Sequence, residues 1–367
     1  MDTFNINILK LTSRMNNRFF AYVLCFLNIS CIQQFDYENK TEKKFLVVEG
    51  GITQKNIIHE LTLSFSTSFG DIRREPADGA EIILYDDHGN QEAYVSLEGG
   101  KYLLYGTVVE RKPGTAYYIK IRWSQGKTFH SIPQIMPDMI SPDSLHYKVE
   151  RISEINDNGN VVEINYINIL LDTPINKFGR NNYFIWRSDH VYSLTEVKWH
   201  PLVDPKVCYV KQSSVADQVY IFSSENIEED MLTDFLVSKV IINPYWQFFE
   251  KHFYNVTQYS ITKEAYVYWE TVNKIAYPTG SIFDTPPAPI KGNIYNIYDP
   301  DEVVLGFFEV SAIDTIRTRT SRHDLKPLAI EDRCNDEYLY KSWNDQACHN
   351  CLVLENASAE RPYYWGQ

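Results

Sequence analysis

The sequence predicts a mainly β protein: an N-terminal immunoglobulin- or transthyretin-like β-sandwich, followed by a larger strand-rich domain with one clear helix. Three observations carry this expectation. Short apolar–polar alternations recur about every ten residues, separated by Gly-, Asn- and Pro-rich turns. Helical spacing is clear in one segment, 262–276. Hydrophobic residues make up 44 % and charged residues 23 %, the balance of a folded body. No segment reaches the roughly 18 consecutive apolar residues of a membrane-spanning helix.

The sandwich is placed at 45–137. The burst Phe45-Leu46-Val47-Val48-Glu49 ends in Gly50-Gly51 and reads as the opening strand. Leu61, Leu63 and Phe65 alternate with polar neighbours, the period of a half-buried strand. Ala80 to Tyr85 runs into the turn Asp86-Asp87-His88-Gly89-Asn90, and Gln91 to Leu97 returns from it as a hairpin. Lys101–Tyr105, Tyr117–Trp123 and Thr128–Ile132 continue the series. Pro133, Pro137 and Pro142 then place a domain boundary near residue 138.

The second domain is placed at 138–323. Leu145–Ile152 and Val161–Leu171 flank the turn Asn156 to Asn160, and Asn182–Trp186, Val191–Val197 and Gln218–Phe222 follow as strands. In the helix, Thr262 is the expected N-cap and Glu264 suits the first turn. Ala265, Trp269, Val272 and Ala276 form one apolar stripe, expected to face the core. Pro278 and Gly280 stop the helix, and the Pro-rich stretch to Pro289 is an extended loop. Gly292-Asn293-Ile294 and Val303–Val310 read as a closing pair of strands. Residues 324–367 form a cysteine-bearing tail.

The N-terminus reads as an export signal. Arg14 and Arg18 flank Met15, and the apolar run Phe19–Leu27 leads to Ser30-Cys31. Leu27-Asn28-Ile29-Ser30-Cys31 resembles a bacterial lipobox, although its leucine stands four residues before the cysteine rather than three. The expectation is cleavage after residue 30, lipidation at Cys31 and a polar tether over 31–44. Four of the six cysteines, Cys208, Cys334, Cys348 and Cys351, lie beyond the signal and Cys31. An even number in an exported chain predicts two disulfides, with three connectivities open. Cys348-His349-Asn350-Cys351 has no second CxxC to make a zinc site, and Leu352 follows where a haem site needs histidine.

The net charge of −13 argues against nucleic acid as a partner. The HExxH, GxSxG and phosphate-loop patterns are absent, and the histidines stand singly. Asn156 to Asn160 lacks the frame of a calcium loop. No catalytic residue, metal or cofactor is therefore assigned. The aromatic residues are the feature able to carry function: Tyr183, Trp186, Tyr192 and Trp199 lie in one strand pair, and Tyr245, Trp246, Phe248 and Phe249 form a second cluster. Exposed, they would grip a glycan, a peptide or a partner; otherwise they are core.

Several stretches resemble one known family. They are Leu46 to Gly50; Gln258 to Tyr266 with Tyr268-Trp269; Gly280, Phe283-Asp284, Pro287 and Gly292 to Ile294; Leu305 to Phe308; and Cys348, Cys351 and Pro362 to Trp365. Together they are similar to the Bacteroidetes surface lipoproteins classed as domain of unknown function 4249. The resemblance implies an outer-membrane lipoprotein exposed at the cell surface, and a partnership with a TonB-dependent transporter barrel. Ile32 to Glu38 looks like a surface-export signal of that phylum. Asp143-Ser144-Leu145 and Asp314-Thr315-Ile316 resemble its O-glycosylation sequons. The leading expectation is a non-enzymatic ligand-binding or accessory subunit. The alternatives are a surface enzyme acting on glycan or peptide, using carboxylates such as Asp284 or Asp299, and a purely structural envelope protein.

Overall fold

The computed structural model describes residues 44–67, 74–123, 126–156, 158–176, 179, 181–198, 202–214, 218–277, 289–334 and 345–366. Its first ten strands are β1 (Leu46–Thr53), β2 (His59–Phe65), β3 (Glu75–Pro76), β4 (Ala80–Asp86), β5 (Gln91–Ala93), β6 (Val95–Ser96), β7 (Lys101–Leu104), β8 (Ala116–Trp123), β9 (Thr128–Ser131) and β10 (Gln134–Ile135). Alternation explains them. In β4, Ala80, Ile82 and Leu84 are buried while Glu81, Ile83 and Tyr85 are not. The β4–β5 hairpin closes as expected, because the Asp86 carboxylate accepts from the Asn90 amide (2.8 Å) and the His88 amide (3.0 Å).

These strands divide between two sheets whose inner faces meet in one core. Val48, Leu61, Leu63 and Tyr102 pack with Ile82, Tyr117, Ile119 and Ile121 from the opposite sheet. This is the predicted sandwich arrangement.

The remaining strands and α-helices are β11 (Ser144–Ile155), β12 (Val161–Pro174), β13 (Tyr183–Thr195), β14 (Val207–Ser213), β15 (Tyr220–Ser223), β16 (Met231–Ile241), β17 (His252–Ile261), α1 (Lys263–Ala276), β18 (Ile294–Asn296), β19 (Val304–Thr320), α2 (Gln346–His349) and β20 (Ala357–Ser358), with short 3-10 turns at Tyr245–Phe248 and Cys351–Val353. The largest sheet runs β20-β14-β13-β17-β19-β1-β2-β7-β6, with β15 beside β13 and β3 beside β2. It passes from the second half of the chain into the first through the parallel pair β1–β19, from Leu46↔Val304 to Thr53↔Ser311. The three-stranded sheet β11-β12-β16 covers part of one face, placing Ile167, Ile169, Leu171 and Val237 on Phe184, Trp186, Tyr254 and Val256.

The predicted closing pair of strands needs correction. Ile294–Asn296 joins β9 in the sandwich, β19 lies between β17 and β1, and an isolated bridge, Lys291↔Leu305, connects the two segments. Both strands find longer ladders with distant partners. The tail is held by Cys208–Cys351 and Cys334–Cys348, with Tyr364 and Trp365 seated on Val191 and Phe253.

Candidate functional site

The helix builds the site. Thr262 follows β17 directly and caps α1 by accepting from the Ala265 amide at 3.2 Å. Its hydroxyl also donates to Gln134 Oε1 at 2.6 Å, tying the helix start to the sandwich side. The stripe expected to be core is split: Ala265 is buried, Trp269 and Val272 are half-buried, and Ala276 is exposed. The helix lies over the face of the β13–β17–β19–β1 sheet but does not close upon it, so Tyr268, Trp269 and Val272 become one wall of a cleft of about 830 Å³.

The floor comes from β1 and β19. Gly51 and Gly306 let the two backbones approach: a Cβ on Gly51 would stand 2.1 Å from the Glu309 carbonyl oxygen, and one on Gly306 2.0 Å from that of Val48. Gly306 also has φ +85°, a conformation that favours glycine. The far wall includes Ile57, Ile58 and His59.

One polar group anchors the cleft. Glu309 is buried, and its Oε2 accepts from Trp269 Nε1 at 3.0 Å and from Arg187 Nη2 at 3.2 Å. The Arg187 guanidinium lies 4.4 Å above the Tyr259 ring, and Tyr268 packs against Phe307 with centroids 5.0 Å apart. Partial enclosure works against the Arg187 charge, but the Glu309 carboxylate and Tyr259 outweigh it and raise its pKa. The two other carboxylates of the lining are also paired, Glu49 with Arg74 and Glu60 with Lys101.

Among the described residues, those of the expected aromatic surface do not line the cleft. Trp186 is 3 % and Tyr192 1 % exposed, so both are core; Trp186 Nε1 donates to Gln258 Oε1 at 2.9 Å and Tyr192 packs edge-on to Trp246. Trp246 is half-buried beneath Arg333 and against the disulfide-bonded cysteines. Tyr183 stands away from the main cleft, its hydroxyl donating to Glu225 Oε1 at 2.6 Å. Tyr245 is exposed and accepts from Asn165 Nδ2 at 3.3 Å. Cys31, Trp199 and Asp284 lie outside the described residues, and Asp299 is exposed without lining the cleft. Of the two sequon-like hydroxyls, Ser144 donates to Asp172 and Thr315 bonds Thr257.

Two metal-like groupings occur among the described residues. Glu196 meets Cys208 and Cys351, but those sulfurs are joined in a disulfide. His146, Asp172 and Asp234 form a network already occupied by Lys148 and Ser144. The cleft residues Arg187, Tyr259, Trp269 and Glu309 come from four separate elements. Of these, Tyr259 and Trp269 lay in the family-like stretch 258–269, which was the available signal. Residues 32–317 match the family model described as a domain of unknown function (DUF4249). No curated protein matches the chain.

Proposed function

Since the chain belongs to the DUF4249 family, whose description assigns no activity, we propose its function from the geometry of the cleft. The protein is a non-enzymatic ligand-binding lipoprotein, anchored through Cys31 in the outer membrane, and serves as accessory subunit to a TonB-dependent transporter. The observation that carries the binding role is the cleft itself, with half-buried aromatic walls around a fixed Arg187–Glu309 pair. Three carboxylates line it and each is engaged by a cation, which favours recognition over hydrolysis by two facing carboxyl groups. The anchor and the transporter rest on the family resemblance and the lipobox-like segment. No described helix is long and apolar enough to cross a membrane.

Affinity purification of the tagged protein from detergent-extracted membranes tests the partnership. Recovery of one transporter barrel is the expected result, and its absence from repeated purifications removes the accessory role. Cys31→Ser should move the protein from the membrane to the soluble fraction. Retention in the membrane would remove the lipid anchor.

A further inference from the structure

We infer that the cleft beneath α1 takes a neutral saccharide, held by aromatic faces and by the polar edge of the Arg187–Glu309 pair. This rests on the cleft being the binding site, and it adds the class of ligand.

The floor argues first. β1 and β19 pair with each other from Leu46↔Val304 to Thr53↔Ser311, and on the outer side of this part of β19 the Asn293 side chain bonds both the N–H and the C=O of Phe308, while Leu305 bridges Lys291. A peptide adding as a strand there would find its ladder interrupted, and recognition falls to side chains.

Charge argues second. Arg187 is paired with Glu309, Glu49 with Arg74, and Glu60 with Lys101. Neither sign is left with an unspent countercharge for an ionic ligand. What remains is hydrogen-bonding capacity: the Arg187 N–H groups taken by neither Glu309 nor Tyr259, and Glu309 Oε1, whose contact with Arg187 is long at 3.4 Å. Vicinal hydroxyls both donate and accept, and so match a donor and an acceptor fixed side by side.

The walls argue third. Trp269, Tyr268 and Tyr259 are half-buried, so ring surface stays open to the cleft. Trp269 is held in orientation by its own bond to Glu309, which lowers the entropic cost of stacking on a ligand. The apolar face of a pyranose suits such a ring, while its hydroxyl rim reaches the Arg187–Glu309 edge. The volume of about 830 Å³ falls in the range of small-molecule sites.

The test is titration calorimetry on the full, detergent-extracted chain. Three probe sets are used: neutral oligosaccharides (cellobiose, xylobiose, maltotriose, mannotriose, laminaribiose), oligogalacturonides, and mixed tripeptides. Saturable binding of at least one neutral oligosaccharide is expected. Trp269→Ala should weaken it at least tenfold and Arg187→Met several-fold. Tyr298→Ala, an exposed aromatic outside the cleft lining, should leave it unchanged. Should Trp269→Ala fail to fold, Val272→Trp narrows the cleft and should abolish binding. Neutral-saccharide binding that survives both cleft variants overturns the inference. So does Trp269-dependent binding of tripeptides or oligogalacturonides alone, which leaves the cleft as the site but changes the ligand class. Binding of none of the three sets removes the saccharide and the binding role together.

Discussion

Acidification to pH 4.5 should destabilise this protein through its buried histidines, well before its stabilising carboxylates protonate. His252 is fully buried, with Nδ1 3.2 Å from the Gln247 carbonyl and Nε2 2.8 Å from His190 Nδ1. A carbonyl only accepts, so His252 carries its proton on Nδ1. Its Nε2 is then the acceptor, and His190 must donate from Nδ1. The relay works with both rings neutral. Burial pushes His190 down to about 4, and burial together with neighbouring His190 holds His252 well below 6.5. His59 is likewise pushed down to about 4, by burial and then by Arg111. Each histidine therefore takes up its proton more readily in the unfolded chain. The stability of neutral burial is complete above the unfolded pKa of 6.5 and is lost as pH falls toward 4. A shift from 6.5 to about 4 amounts to about 3 kcal/mol per histidine, so His59 and His190 together contribute roughly 6 kcal/mol. That is a large share of the 5–15 kcal/mol typical of a folded domain. Asp86 and Glu92 have lowered pKa values, because hydrogen bonds from backbone and side-chain donors outweigh burial, so their loss comes at lower pH. Urea unfolding followed by tryptophan fluorescence at pH 7.5, 6.5, 5.5 and 4.5 measures the slope. Wild type should lose most of its stability across this range. His190→Gln should be less stable at pH 7.5 but show a flatter dependence. Equal midpoints at pH 7.5 and 4.5, or an unchanged slope in His190→Gln, would refute the reasoning.

Two further expectations concern the tail and the helix. Cys208–Cys351 closes a sequence separation of 143 and Cys334–Cys348 one of 14, which in the chain-entropy account correspond to about 5 and about 3 kcal/mol. Paired Cys→Ala replacement at the first bridge should thus lower the urea midpoint more than at the second, and limited proteolysis should release the segment after residue 345 more readily. Thr262→Ala removes the cap of α1 and should cost about 1 kcal/mol in chemical denaturation. Because the same helix carries Trp269, saccharide affinity should fall as well, and a variant with lowered stability but full affinity would separate the cap from the cleft.

Local features were legible before any tertiary contact was known. The Asp86–Asn90 hairpin, the alternating strands of the sandwich and the Thr262 cap each rest on residues within a few positions of one another. The central strand β17 was not anticipated, and its sequence explains why. His252–Ile261 is buried on both faces, so apolar and polar residues do not alternate, and its polar members Gln258, Asn255 and His252 read locally as loop. Their partners, Trp186, Asp189 and His190, come from a strand 62 to 72 positions earlier, and only that pairing makes their burial affordable. The aromatic cluster Tyr183 to Tyr192 shows the converse. Composition marks the residues as important, but whether a ring is core or surface depends on what is laid above it: the β11-β12-β16 sheet covers Trp186, and Trp246 and His252 pack on Tyr192.

By itself, the sequence determined the β class, the position and start of the one long helix, the pool of cysteines for two bridges and membership of a family. The tertiary structure decided the cleft. Its floor exists because Leu46–Thr53 runs parallel to Val304–Ser311, a pairing more than 250 residues apart in the chain. No local period encodes such a partner. Strand propensity prepares both segments, and the choice between them is made by shared burial of the sandwich core and by the glycines that let their backbones approach.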